Sequence, residues 1–286
     1  MAEWSQTHTF LDGEWFEGNK PILGPRSHAF WLGSSVFDGA RAFDGVTPDL
    51  DLHCERLNRS ASAMWLKPLM SAQDMIELTR EGLKRFKPDA ALYIRPMYWA
   101  ETSGVGAVAQ DPESTRFLLT IYETPMPDAS KGVSITRSSR VKPLSTMAPI
   151  QAKAGCLYPN NARALLEARA RGFDNCVMCD GLGHVAESAT ANLFLVKDGL
   201  VKTPAANGAF LNGITRQRVI NLLTGVGVAV VETTLDYADL EQADEIFMAG
   251  NFGKVTPVAR IDDRALPLGP IFAKARALYW EFAHAG

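Results

Sequence analysis

Apolar positions recur along this chain with two periods. Met75, Leu78, Leu83 and Phe86 return at helical spacing after Ser71 and Asp74, which make a capping-box start, so a helix is expected from there. Leu57, Ala61 and Met64 give a second stripe for a helix over 52–65. Ala162, Leu165 and Leu166 predict a third, and Val219, Ile220, Leu222 and Leu223 a fourth beginning near Thr215. The tail FAKARALYWEFAHAG reads as a packing helix.

Between these stripes the pattern changes to strands. Asp-Gly pairs at 12–13, 180–181 and 198–199 sit between apolar stretches and predict hairpins over His8 to Phe16, Cys176 to Ala186 and Asn192 to Lys202. Further strands are expected at 91–99, 117–122, 133–137, 228–233 and 245–248. Hairpins interspersed with helices indicate α+β architecture rather than a doubly wound parallel sheet. The Pro-, Ser- and Asp-rich stretch TPMPDASKG, 124–132, reads as a linker between an N-terminal domain, 1–123, and a C-terminal domain, 133–286.

Composition narrows the function classes. With 29 basic and 32 acidic side chains among 286 residues, the chain has no general attraction for nucleic acid or an anionic membrane. No apolar run approaches the roughly 20 residues needed to span a bilayer. The opening MAEWSQTHTFLDGEWFEGN has neither the basic nor the apolar region of a signal peptide, so a cytoplasmic protein is expected. Among Cys54, Cys156, Cys176 and Cys179, only the last pair has a metal-like spacing, and without a second pair they read as free buried thiols rather than a metal site.

Several residues carry possible chemistry. Lys153 lies in QAKAG among the smallest side chains available, where a poorly solvated ammonium becomes a usable amine nucleophile; an exposed loop lysine is the plainer alternative. In LNGITRQRV, 211–219, the turn at Asn212-Gly213 opens a helix whose amides at Ile214 and Thr215 suit a phosphate, or form a simple capping turn. Glu187 interrupts a small, apolar stretch; it could hold a ring nitrogen protonated or face water from an edge strand. Arg56 lies off its helix's apolar stripe, as a bidentate phosphate clamp or a solvated side chain. Tyr93 and Arg95 share one face of a strand, suited to a carboxylate.

In order, SSVFDGAR, HCERLNRSA, YIRP, AKAGCLY, ESATANLF, LNGITR and ADEIFMAGNFGKVTPV resemble the fold-type IV pyridoxal-phosphate enzymes, and most closely the branched-chain aminotransferases. The resemblance implies a two-domain α+β fold, with a smaller N-terminal domain and a larger, β-barrel-like C-terminal domain that binds pyridoxal 5'-phosphate. It implies that Lys153 holds the cofactor through its amine and moves the proton between Cα and C4′. Glu187 would pair with the pyridine nitrogen and Tyr158 with the phenolic oxygen. Arg56, Ile214 and Thr215 would bind the phosphate, completed by Asn251 where the family usually has threonine. Phe37, Tyr93, Arg95 and Phe252 would face substrate. The reaction would move an amino group from a donor, a branched-chain L-amino acid in the first reading, to a 2-oxo acid. The partner would be a second copy of the chain, each site borrowing a loop such as GVGAVAQ, 104–110.

There are departures. Leu32 stands where these enzymes carry a tyrosine, and 124–132 lacks the tyrosine that the interdomain loop usually supplies. The lost phenols favour, as an alternative, an (R)-selective amine or D-amino-acid transaminase. An aminodeoxychorismate-type lyase and a non-catalytic binding relative are the remaining alternatives on this fold.

Overall fold

A computed structural model describes residues 3–285; Met1 and Ala2 of the opening stretch and Gly286 of the tail lie outside the described residues. By contacts the chain forms two compact units. One runs up to Met126 and also includes Gln151–Cys156; the other holds Pro127–Ile150 and the chain from Leu157 onward.

The first unit is built on an antiparallel sheet. Its strands are β1 (Thr7–Leu11), β2 (Glu14–Glu17), β3 (Ser35–Phe37), β4 (Ala40–Ala42), β5 (Leu92–Ala100) and β6 (Thr115–Glu123). Their order is β2-β1-β6-β5-β3, with β4 also paired to β5. The expected hairpin at 12–13 joins β1 to β2, with Asp12 and Gly13 both at positive φ as a tight turn requires. Helices α1 (His28–Leu32), α2 (Leu50–Ala63) and α3 (Ala72–Leu83) belong to this unit. The Ser71–Asp74 capping box starts α3 as expected, satisfying two amide donors reciprocally. Leu57 and Ala61 of α2 and Ile94 and Ile121 of the sheet are fully buried.

The second unit holds a larger mixed sheet. Its strands are β7 (Val133–Val141), β8 (Asn175–Cys179), β9 (Val185–Ser188), β10 (Asn192–Lys197), β11 (Leu200–Pro204), β12 (Val230–Thr233), β13 (Glu245–Gly250), β14 (Lys254–Ile261) and β15 (Arg264–Ala265). They run in the order β12-β11-β10-β13-β14-β7-β8-β9, with β15 on β14. Most neighbours are antiparallel; β11/β12, β14/β7 and β7/β8 are parallel. Helices α4 (Tyr158–Ala170), α5 (Ile214–Gly225), α6 (Tyr237–Glu241) and α7 (Pro270–His284) complete it. Ile135, Val177, Leu193, Leu195, Leu240 and Ile246 form the centre of its principal core.

The stripe expected to bury α4 is corrected. Ala162 and Leu166 are exposed, and the helix packs through Ala164 and Ala168 against Cys176 and Met178 of β8. Alanine faces let a helix lie close to a sheet. Short α1 and α6 carried too few residues for a legible period.

Candidate active site

In the first unit, the chain 151–156 lies along β3 rather than with the residues on either side of it in sequence. The Phe37 amide donates to the Lys153 carbonyl at 3.0 Å, the Lys153 amide donates to Ser60 Oγ at 3.0 Å, and Val36 bridges Ala154. This accounts for the small residues around the lysine: Ala152 and Ala154 are buried, and a Cβ at Gly155 would come within 2.7 Å of Ser35 Oγ. Lys153 itself is half-buried, its ammonium 5.0 Å from the centroid of the Phe37 ring.

Just past β3, Asp38 is fully buried and collects several donors. Arg56 donates from Nε to Oδ2 at 2.7 Å and from Nη2 to Oδ1 at 2.8 Å; the Gly39 amide and His53 Nδ1 meet Oδ1 at 2.7 Å. Burial alone would raise the Asp38 carboxyl, but the charges and hydrogen bonds of Arg56 and His53 together hold it well below the usual carboxylate range. The solvated alternative for Arg56 is excluded, because the residue is buried. Its Nε/Nη2 fork is engaged by Asp38, so an anion would be met by the opposite edge of the guanidinium rather than by that fork.

A row of polar side chains crosses the same sheet. Arg41 of β4 and Tyr122 of β6 are both cross-strand partners of Tyr93 on β5, and Arg95 follows two residues later on the same face. The Tyr93 and Tyr122 rings stack with centroids 5.4 Å apart. Arg95 donates from Nη2 to the Tyr122 hydroxyl at 2.5 Å, and its guanidinium lies 5.1 Å from the Tyr93 ring and 5.9 Å from that of Phe37. Arg95 Nε is buried without a hydrogen-bond partner among the described residues. Gly39 makes room for this row, since a Cβ there would collide with the Tyr93 phenol. Burial lowers the affinity of the Arg41 guanidinium for its proton and raises that of the Tyr122 phenol.

In the second unit, Glu187 lies on β9, the last strand of the sheet, yet it does not simply face water. Lys142 Nζ is 2.7 Å from Oε1, and Asn192 Nδ2 donates to Oε2 at 3.2 Å. Asn192 Nδ2 also donates to the Leu211 carbonyl at 3.1 Å, and its Oδ1 occupies the space that a Cβ at Gly213 would take. Gly213 is therefore the compact N-cap of α5, with no side-chain capping bond, and Ile214 and Thr215 enter the helix buried. Lys254 Nζ donates to Asn251 Oδ1 at 2.8 Å, while Asn251 Nδ2 is buried with no partner among the described residues. Tyr158 opens α4 and is partly exposed, and Phe252 is exposed.

Taken separately, each unit offers groups of the kind that a phosphorylated pyridine aldehyde needs. Amides at the start of α5 and the orphaned Asn251 amide are anion receptors. A carboxylate such as Glu187 can face a protonated ring nitrogen, and an amine such as Lys153 can meet an aldehyde. Sequence reasoning missed Asp38, His53, Arg41, Tyr122, Lys142 and Asn192. Arg41 and Asp38 stood inside SSVFDGAR, and Tyr122 shares the alternation of its strand; the pairing register that aligns them is a tertiary property.

Comparison with known proteins identifies the family. Residues 35–261 match the amino-transferase class IV family. A branched-chain-amino-acid aminotransferase of Methanocaldococcus jannaschii, named as putative, is 33% identical over 90% of this chain and 88% of its own length. An aminotransferase from Brucella abortus, solved bound to pyridoxal phosphate, superposes with a TM-score of 0.96 at 54% identity, covering 98% of this chain and 99% of that one. The Escherichia coli branched-chain amino acid aminotransferase gives 0.90 at 27% identity, covering 99% and 96%. A match over most of its length makes this chain a member of the class IV aminotransferases.

Proposed function

We propose that the protein transfers an amino group from a branched-chain L-amino acid to a 2-oxo acid, with the site residues in the roles that their geometry supports. As a class IV aminotransferase it is an enzyme of pyridoxal-phosphate-dependent transamination. The cofactor supplies an electron sink and an amino-group carrier when bound. The observation that carries the assignment of residues is the placement of Lys153, a half-buried amine fixed by backbone bonds to Phe37 and Ser60.

Lys153 holds the cofactor through its amine and carries a proton at its Nζ. Glu187 keeps the ring nitrogen protonated. Tyr158 donates to the phenolic oxygen. Arg56, with the Ile214 and Thr215 amides and the Asn251 amide, receives the phosphate. Phe37, Tyr93, Arg95 and Phe252 face the substrate, and Arg41 and Tyr122 join them. Tyr122 supplies a phenol to a site whose sequence lacks two, which supports an amino acid over a simple amine. The domains follow as an N-terminal domain, 1–123, a linker, 124–132, and a C-terminal domain, 133–286, with 151–156 contributing to the first.

The same reading includes a cytoplasmic homodimer. Exposed Phe30, Trp31, Val105 and Val108 of the first unit, the last two in the loop 104–110, support it as apolar surface for a second copy. No helix among the described residues is long and apolar enough to cross a membrane.

The absorption spectrum of the purified holoenzyme tests the donor class, with L-leucine, D-alanine and (R)-1-phenylethylamine added separately. Bleaching of the bound cofactor's long-wavelength band by leucine is the expected result. Bleaching by the amine or by D-alanine instead would replace this donor by the one suggested by Leu32.

A further inference from the structure

Lys142 follows β7 and is buried, although it is a lysine outside every role described above. Its amide donates to the Cys179 carbonyl at 2.8 Å, which anchors its backbone to the end of β8. Its ammonium donates to Asn161 Oδ1 of α4 at 3.1 Å and meets Glu187 Oε1 at 2.7 Å. Asn161 is in turn held by a 2.9 Å bond from its Nδ2 to the Ala189 carbonyl. The Glu187 carboxylate is thus gripped on both oxygens, by a cation on Oε1 and a neutral amide on Oε2.

Taking an ammonium and a carboxylate out of water together is costly, and apolar side chains often fill such a place at no loss of stability. A largely buried pair on the carboxylate read as the cofactor's partner therefore calls for a chemical reason. A single proton shared between Glu187 and a ring nitrogen has two resting places. On the nitrogen it leaves a carboxylate beside a pyridinium; on the carboxyl it leaves a neutral acid beside a neutral pyridine. The ammonium touches the carboxylate directly, whereas a ring nitrogen bonded to Glu187 stands one hydrogen bond beyond it. The attraction to the nearer negative charge exceeds the repulsion from the farther positive one.

We propose that Lys142 is a positioning residue which fixes the shared proton on the ring nitrogen, by keeping Glu187 ionised and oriented. The proposal rests on the reading that Glu187 faces that nitrogen. Removing the ammonium lets the proton pass to Glu187 with no change in the number of protons held, and the ring becomes neutral and a poorer electron sink.

The test is the nitrogen-15 NMR shift of holoenzyme reconstituted with pyridoxal phosphate labelled at the ring nitrogen. The wild type is expected at the pyridinium position, K142M displaced toward neutral pyridine, and K142R restored. E187Q should sit at the neutral position. Thermal unfolding of each apoprotein reports whether the fold survives, and K142Q replaces K142M if the latter does not fold. A pyridinium shift retained in K142M, or in K142Q standing in for it, while E187Q moves, overturns the role of Lys142 and leaves Glu187 in place. A wild type already at the neutral position, or an E187Q that does not move, overturns the reading of Glu187 itself.

Discussion

Asp38 and Arg56 form a two-point pair, with Nε to Oδ2 at 2.7 Å and Nη2 to Oδ1 at 2.8 Å, inside the first unit. The aspartate thereby sets the plane of the guanidinium and the edge it turns outward. D38N removes the charge but keeps the shape, leaving a buried arginine without its counter-ion. A loss of about 3 kcal/mol is expected in denaturant unfolding of the apoprotein, together with faster loss of pyridoxal phosphate on dialysis against phosphate. R56A should share the second effect; normal retention would move the phosphate site elsewhere.

The same pair predicts the behaviour in acid. The folded-state pKa of Asp38 is depressed, so its contribution to stability is complete above the unfolded value of about 4 and is lost as pH falls below it toward the folded value. Wild-type stability should therefore fall more steeply than that of D38N below about pH 4. Parallel curves from chemical denaturation at several pH values would show that Asp38 is not the group responsible.

Replacing Lys153 by alanine should abolish transamination and the covalent absorption band, while the protein still folds around Ala152 and Ala154. A K153A protein that transaminates like wild type would show that the amine is not the reactive group.

For Glu187→Gln, turnover should fall on the order of 100-fold, with cofactor retention changed much less. The measurement is kcat against the rate of cofactor loss in dialysis. Equal loss of both would make Glu187 a binding residue, and unchanged turnover would remove it from the ring.

Tyr122→Phe deletes the hydroxyl that accepts from Arg95. A loss of about 1.5 kcal/mol corresponds to a rise in KM of roughly 10-fold for glutamate as donor, with leucine affected less. Gly39→Ala, whose Cβ enters the space of the Tyr93 phenol, should act in the same direction. Equal changes for both donors would place Tyr122 outside the substrate pocket.

The parts of this fold legible in the sequence are those whose signal is local. The capping box at Ser71 and Asp74 and the turn at Asp12-Gly13 are complete within a few residues, and both stand as read. Glu187 was legible as a carboxylate of interest but not as a partner of Lys142, which lies 45 positions earlier and meets it only through the packing of β7, β8 and β9. Tyr122 was hidden for a similar reason: its significance lies in the register that sets it opposite Tyr93. The face of α4 was misread because alanine contributes little to an apolar pattern while permitting the closest packing.

The backbone bond from Lys153 to Ser60 spans 93 positions of sequence. Every such closure waits on the ordering of a long stretch of chain, with an entropic cost that local elements do not carry. Lys153 is consequently held in place by long-range closure rather than by its own local segment. A chain ending at Met126 would contain every strand of the first sheet but no Lys153 to lie along β3, so that lysine can be put in position only once synthesis has passed well beyond the strands it lies against.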